Sequence, residues 1–69
     1  MDTFGKRLKE LRLERGLSQK ALAEQIGRGQ STINYWENDQ KEPTISGLWK
    51  LCDYFDVSAD YLIGRTDNY

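Results

Sequence analysis

Residues 19–38 read QKALAEQIGRGQSTINYWEN, and this stretch decides the fold. Apolar residues recur at helical spacing on both sides of Gly27. They are Leu22, Ala23, Ile26, Ile33 and Trp36. Glycine tolerates the positive φ of a tight corner, and the small Ala23 lets two helices approach closely. The pattern predicts a helix-turn-helix, in which two helices meet at about 90 to 120°.

The paired glycines of GRGQS, residues 27–31, also permit a second interpretation, a loop that cradles a nucleotide phosphate. A dinucleotide-binding loop needs a preceding strand and a third glycine three residues later. Here the preceding ALAEQI has helical periodicity, and position 32 is Thr. A Walker loop needs Lys directly before its final Ser or Thr, and no such pair is present. The corner interpretation is therefore favoured.

The rest of the chain predicts three further helices and no strand. The five predicted helices span about 4–15, 19–26, 30–38, 45–55 and a short segment that ends at Gly64. Their predicted N-terminal caps are Thr3, Ser18, Gly29, Thr44 and Ser58. The fold class is all-α, with one helical domain over residues 1–64.

Two expectations concern packing outside the corner. The fourth helix is predicted to place Ile45, Leu48, Leu51, Cys52 and Phe55 in the core, with Trp49 and Tyr54 either completing the core or contacting a protein. Residues 65–69, RTDNY, are predicted to form a polar tail that frays.

Composition excludes several classes of protein. The chain has 69 residues, one Cys and no His, so a disulfide framework and a Cys/His zinc site are both excluded. No nucleophile and base can be paired, which argues against an enzyme. No stretch reaches the roughly 20 apolar residues of a membrane span, and the N-terminus lacks a signal-peptide pattern. We expect a cytoplasmic protein without metal or cofactor.

Charge is unevenly distributed along the chain. The net charge is −1, but residues 1–41 hold eight basic and six acidic side chains, whereas residues 42–69 hold two basic and five acidic ones. Local patches rather than net charge attract a polyanion, so the distribution permits DNA binding. The basic run Lys6, Arg7 and Lys9 is expected to face solvent.

From Phe4 to Gly64 the chain resembles the Cro/C1-type (XRE) helix-turn-helix family of phage and bacterial repressors. The matching stretches are FGKRLKELRLERGLSQKALAEQIG, QSTINYWEN, PTISGLWKL and VSADYLIG. The resemblance implies a compact five-helix bundle of the lambda-repressor-like type, with the helix-turn-helix at about 19–38. It also implies binding to double-stranded operator DNA as a homodimer.

The resemblance further assigns roles to single residues. It places Gln30, Ser31 and Asn34 against base edges in the major groove, and it places phosphate contacts at Gln19, Thr32, Tyr35, Asn38 and Lys41. It implies a buried ion pair between Arg12 and Glu37. Candidate dimer contacts are Ala59, Asp60 and Tyr61. Arg28 departs from the family pattern, and from the corner its side chain could reach phosphate or a base.

Two hypotheses remain open at this point. The first is a sequence-specific regulator, a repressor, that binds a pseudo-palindromic operator. The second is a protein-interaction module, such as an antitoxin or co-regulator, that keeps the fold with weak or no DNA binding. The net charge of −1 and the acidic Glu42 favour the second.

Overall fold

A computed structural model describes residues 2–69, which form five α-helices. The helices are α1 (Phe4–Glu14), α2 (Gln19–Ile26), α3 (Gln30–Glu37), α4 (Ile45–Phe55) and α5 (Ala59–Leu62). No strand occurs among the described residues. The predicted fold class is confirmed, and the boundaries of the first four helices lie within about one residue of their predicted positions, whereas α5 ends two residues before Gly64. None of the five helices has the length and apolar character needed to cross a membrane.

Side-chain caps explain where four of the helices begin. The hydroxyls of Thr3, Ser18, Thr44 and Ser58 each accept a hydrogen bond from the backbone N–H three residues later. Such a bond satisfies one of the N–H groups that have no partner within the helix. Gly29 opens α3 without a side-chain bond. All five predicted caps are confirmed.

The corner between α2 and α3 depends on Gly27. Its φ of 69° and ψ of 36° are left-handed, and this conformation ends α2. The Arg28 N–H then donates to the Ala23 carbonyl at 2.9 Å, which closes the turn. Because Ala23 is small and buried, α2 and α3 pack against each other as the sequence predicts.

The core lies at the centre of the bundle, and every helix contributes to it. The five largest fully buried side chains come one from each helix in chain order: Leu8, Leu22, Ile33, Leu51 and Leu62. One domain of this size buries just enough apolar surface to be stable alone. The fold therefore depends on all five helices together.

Two close contacts fix the end of α3. A Cβ on Gly5 would lie 2.5 Å from the Trp36 carbonyl oxygen, so α1 can approach α3 only with glycine there. Just beyond α3, Asp39 accepts hydrogen bonds from Gly5 N at 2.9 Å and from the Thr3 hydroxyl at 2.6 Å. The carboxylate lies at the N-terminus of α1, where a negative charge is stabilised by the helix dipole. The start of α1 thus holds the C-terminal end of α3.

Two packing predictions are wrong. Ile45 is 83% exposed rather than in the core, because it lies at the first position of α4, on the side away from Leu51. Arg7 is 4% exposed rather than solvent-facing. Its guanidinium donates to the carbonyls of Tyr61 and Thr66.

The polar tail, which the sequence predicts to fray, packs against α1 and α5. The Asp67 carboxylate accepts from Arg7 Nη2 at 2.6 Å, the ring of Tyr69 stacks on Tyr61 with centroids 4.6 Å apart, and Ser58 N donates to the Tyr69 carbonyl at 2.5 Å. The tail supplies acceptors to a buried guanidinium, and that requirement orders it.

Candidate nucleic-acid interface

The exposed face of α3 carries a row of short polar side chains. Gln30, Ser31 and Asn34 are exposed, and together with Gln19 and Tyr35 they line a shallow groove of about 400 Å³. The inner face of the same helix buries Ile33 and Trp36. The apolar spacing of α3 therefore turns its amide and hydroxyl groups outward.

The core beneath this face contains the predicted ion pair. Arg12 Nε donates to Glu37 Oε2 at 2.6 Å, and Arg12 Nη2 donates to Glu37 Oε1 at 3.0 Å. Both side chains are buried. The bond to Glu37 raises the pKa of Arg12 above its ordinary value, although burial opposes the shift. Arg12 Nη1 also donates to the Leu17 carbonyl at 2.7 Å, and so ties the α1–α2 loop to α3.

Gln19 connects this buried pair to the surface. Its Nε2 donates to Glu37 Oε1 at 3.2 Å, and its Oε1 accepts from Asn34 Nδ2 at 3.4 Å. Asn38 Nδ2 in turn donates to Asn34 Oδ1 at 3.3 Å and to the Asn34 carbonyl at 3.0 Å. A chain of hydrogen bonds thus runs from Arg12 in the core to the amides on the exposed face. We call the residues Arg12, Glu37, Gln19, Asn34 and Asn38 the amide relay.

The sequence did not predict the amide relay as a unit. It indicated the Arg12–Glu37 pair and treated Gln19 and Asn34 as separate DNA contacts. The spacing of these residues could have indicated the network. Gln19 begins α2, and Asn34 and Glu37 lie three residues apart on α3. Side chains three apart share a helix face, and the close α2–α3 corner brings Gln19 to that face.

Two of the remaining predicted phosphate contacts, Asn38 and Lys41, each contact a residue that lines this groove. Thr32 is half-buried and is not among the lining residues, and Asn38 is exposed at the end of α3. Lys41 is exposed, with Nζ 4.7 Å from the centroid of the Tyr35 ring. A cation over an aromatic face is attracted to it. Tyr35 therefore holds the Lys41 ammonium beside the polar row.

Arg28 lies at the corner before α3 and is half-buried. Among the described residues its guanidinium has no hydrogen-bond partner, so its donors face solvent. An arginine can lay its apolar stem along the protein while its head remains in water. This position places a cation next to Gln30, at the beginning of the polar row.

The dimer-contact candidates differ in exposure. Ala59 and Asp60 are exposed, whereas Tyr61 is 8% exposed because the Arg7 guanidinium and the Tyr69 ring cover it. Burial raises the pKa of the Tyr61 hydroxyl, with a further contribution from Tyr69. Of the three residues, Tyr61 has no free surface for a second chain.

Comparison with known proteins shows what the chain is similar to. A family model described as helix-turn-helix matches residues 8–62. The HTH-type transcriptional regulator ImmR of Bacillus subtilis (strain 168) is 38% identical over 65 residues, which cover 94% of this chain and 51% of ImmR. The HTH-type transcriptional regulator PrpR of Mycobacterium tuberculosis (strain ATCC 25618 / H37Rv) is 44% identical over 63 residues, 91% of this chain and 13% of PrpR. The chain thus spans about half the length of ImmR and far less of PrpR.

Two solved structures have the same architecture and were determined with DNA. The P22 c2 repressor in complex with a synthetic operator has a TM-score of 0.90 and 27% identity, and the match covers 96% of this chain and all of that one. The biofilm master regulator SinR in complex with DNA has a TM-score of 0.79 and 34% identity, over 87% of this chain and 97% of that one. SinR is a protein of Bacillus subtilis.

Proposed function

Because the chain belongs to the helix-turn-helix family of Cro/C1-type domains, we propose that it is a sequence-specific DNA-binding transcriptional regulator. It acts as a repressor in the bacterial cytoplasm, either as a bacterial or as a phage-encoded protein. It binds a pseudo-palindromic operator as a homodimer, with one α3 helix of each copy in the major groove. The protein is a DNA reader and not an enzyme.

The observation that carries this proposal is the exposed row Gln30, Ser31 and Asn34, in which Asn34 is held by the amide relay. Solvated polar residues on an ordinary helix surface need no support from the core. Here a buried arginine and glutamate hold Gln19, and Gln19 holds Asn34. A site that must read base edges gains from side chains that are already positioned.

The chemistry of the row suits base recognition. Gln and Asn amides both donate and accept, so each can pair with N6 and N7 of adenine, and Ser can contact several bases. Arg28 can pair with O6 and N7 of guanine or with a phosphate. On this proposal, Gln30, Ser31, Asn34 and Arg28 read sequence.

Phosphate contacts fix the register of the protein on DNA. Gln19 lies at the first position of α2, where free backbone N–H groups attract a phosphate. Lys41, placed over Tyr35, and Asn38, bonded to Asn34, supply further polar groups next to residues that line the groove. Thr32 completes this set beside the row. These contacts position α3 without carrying sequence information themselves.

Selection from random double-stranded DNA tests the proposal. We expect the protein to enrich an inverted repeat whose half-sites are centred about 10 bp apart, so that both α3 helices reach one face of the duplex. Affinity for the enriched site should fall steeply with salt, because bound Lys and Arg release counterions. If repeated rounds enrich no motif, the specific-regulator proposal fails.

A second candidate function is a protein-interaction module with weak or no DNA binding. It is favoured by the net charge of −1 and by Glu42, which is exposed next to Lys41 and opposes a phosphate at that edge. Replacing Gln30 and Asn34 with Ala separates the two functions. A DNA reader loses operator binding in this variant, whereas an adaptor keeps its protein partner.

A further inference from the structure

The side-chain amide of Asn34 is held at both of its ends in the free protein. Its Nδ2 donates to Gln19 Oε1 at 3.4 Å, and its Oδ1 accepts from Asn38 Nδ2 at 3.3 Å. Gln19 is the first residue of α2, and Asn38 follows the last residue of α3. The nitrogen of Asn34 is therefore directed toward Gln19, and its oxygen is directed toward Asn38.

The direction on the Gln19 side follows from the buried carboxylate of Glu37. Because Glu37 forms an ion pair with Arg12, it is ionised and offers only acceptors. Gln19 must therefore turn its Nε2 toward Glu37, at 3.2 Å, and its Oε1 is left for Asn34. An amide oxygen can only accept, so it selects the nitrogen of Asn34.

The direction on the Asn38 side is fixed by a different group. Asn38 Nδ2 donates to the backbone carbonyl of Asn34 at 3.0 Å, and a carbonyl can only accept. The same nitrogen therefore faces Asn34 Oδ1. If the Asn34 amide were reversed, two donors would meet at Asn38 and two acceptors would meet at Gln19. Both hydrogen bonds would be lost, so two separate acceptors in the protein impose one direction on this amide.

We propose that this fixed amide lets Asn34 read the orientation of an A·T base pair, so that it distinguishes A·T from T·A. The inference rests on the proposed function, because it needs α3 in the major groove. Asn pairs with adenine when its nitrogen faces the N7 acceptor and its oxygen faces the N6 donor. Exchanging the two bases moves these groups across the groove and reverses their order. An amide held in one place and one direction fits one of the two orientations.

The hydrogen bonds within the protein leave Asn34 enough capacity for a base. A primary amide has two donor hydrogens and two acceptor lone pairs. Gln19 engages one of the hydrogens, and Asn38 engages one of the lone pairs. One donor and one acceptor remain on an exposed side chain, and adenine requires this set. Guanine presents two acceptors, N7 and O6, and would bring an acceptor against the Asn34 oxygen.

Gln30 provides an internal comparison on the same face of α3. It carries the same amide group and is exposed. Within residues 2–69 its side chain forms no hydrogen bond, so its amide can be reversed without loss of a contact in the protein. Of these two residues, only Asn34 has a fixed direction before DNA binds.

The base preference at the position that Asn34 reads tests the inference. This position is identified as the one whose preference is lost in Asn34→Ala, measured with duplexes that differ from the selected operator at one base pair of each half-site. The wild type should bind the preferred orientation at least about tenfold more tightly than its reverse. Gln19→Met removes both hydrogen bonds of the Gln19 amide. In this variant the ratio of the two affinities should fall at least about threefold, because the Asn34 amide can then be reversed.

Two variants control for other effects of losing Gln19. Gln25→Met makes the same change at an exposed position of α2 outside the groove, and it should alter neither affinity nor ratio. Lys41→Met should lower the affinity for every duplex and keep the ratio, because a phosphate contact carries no sequence information. A ratio that is unchanged in Gln19→Met, or that falls equally in Lys41→Met, would overturn the inference.

Nuclear magnetic resonance of the free protein separates this inference from the proposed function. Relaxation of the side-chain ¹⁵N nuclei should show the Asn34 amide to be nearly as ordered as the backbone and the Gln30 amide to be mobile. In Gln19→Met the Asn34 amide should become mobile as well. A wild type that selects an operator but has a mobile Asn34 amide would retain the proposed function and overturn this inference. If the wild type selects no DNA sequence, the proposed function fails and the reading role of Asn34 fails with it.

Discussion

Glu37 accepts a hydrogen bond from Gln19 Nε2 at 3.2 Å, and this contact joins the core to the exposed face of α3. The other side of the same carboxylate is held by Arg12 at 2.6 Å. A charged acceptor strengthens a hydrogen bond and fixes the direction of its donor. The Gln19 amide is therefore oriented with its nitrogen inward and its oxygen toward Asn34, before DNA is bound.

Removing one partner of the ion pair should destabilise the fold. In Glu37→Ala the buried Arg12 charge loses its carboxylate, and we expect a loss of about 3–5 kcal/mol in the free energy of unfolding. Urea denaturation measures this loss. The double variant Arg12→Met/Glu37→Leu should recover stability, because apolar residues can replace a buried ion pair.

The same double variant separates stability from positioning. It lacks the acceptor for Gln19, so its operator affinity should stay below that of the wild type even though it folds. The control is Arg15→Met, an exposed arginine of the α1 C-terminus outside the amide relay. Wild-type operator affinity in the double variant would show that Glu37 does not position Gln19 for binding.

Single substitutions on the face of α3 should weaken binding without unfolding the protein. Asn34→Ala and Gln30→Ala should each cost about 1–3 kcal/mol of operator binding, measured by fluorescence anisotropy at fixed salt. Both residues are exposed, so the unfolding midpoints should change little. Gln25→Ala is the matched control, an exposed glutamine on α2 outside the groove. Equal losses in all three variants would argue against direct base contacts.

The contact between α1 and α3 should make Gly5 sensitive to any side chain. In Gly5→Ala the new Cβ would meet the carbonyl oxygens of Trp36 and Glu37 at 2.5 and 2.6 Å. We expect a loss of about 1–3 kcal/mol from this overpacking, measured by thermal and urea denaturation. Gly29→Ser should instead raise the free energy of unfolding. A serine hydroxyl at the N-cap of α3 can accept a hydrogen bond from a backbone N–H of the first turn, which glycine cannot do. A neutral Gly5→Ala would show that the helices separate at little cost.

Stability should fall as pH rises through the alkaline range. Burial raises the pKa of the Cys52 thiol, with a smaller effect of Asp53, and burial also raises the pKa of Tyr61. The unfolded chain therefore releases these protons at lower pH than the folded chain does, and stability declines from about pH 8.5 upward. Thermal midpoints between about pH 7 and 10 measure the decline. Cys52→Ala should flatten part of it, and a parallel decline in that variant would contradict the role of the thiol.

The elements of the fold could be predicted because their signals are local. Hydroxyl residues at Thr3, Ser18, Thr44 and Ser58 define helix starts through bonds to N–H groups three residues away. Helical periodicity likewise identified the core residues of α2 and α3. Each of these interactions lies within a few residues of chain.

The errors arose where distant segments meet. Arg7 lies in a run of basic residues, and its burial depends on carbonyls of Tyr61 and Thr66, more than 50 residues away. Ile45 has the period of a core residue, but no element covers the first turn of α4 on that side. Periodicity identifies a face of a helix and does not show what covers that face.

The candidate site was predicted residue by residue but not as a network. The α3 spacing indicated which side chains point outward, and the resemblance assigned their roles. The bond between Gln19 and Asn34 joins two helices across the corner. Its existence depends on the angle between α2 and α3, which the sequence specifies only approximately.

The ratio of affinities for the selected operator and for a scrambled duplex of equal length tests the central claim most directly. At about 150 mM salt the wild type should prefer the operator by at least about a thousandfold, and Gln30→Ala/Asn34→Ala should lose nearly all of that preference while still binding both duplexes weakly. A wild-type ratio near one, or a ratio unchanged in the double variant, would contradict the assignment of α3 as the helix that reads sequence.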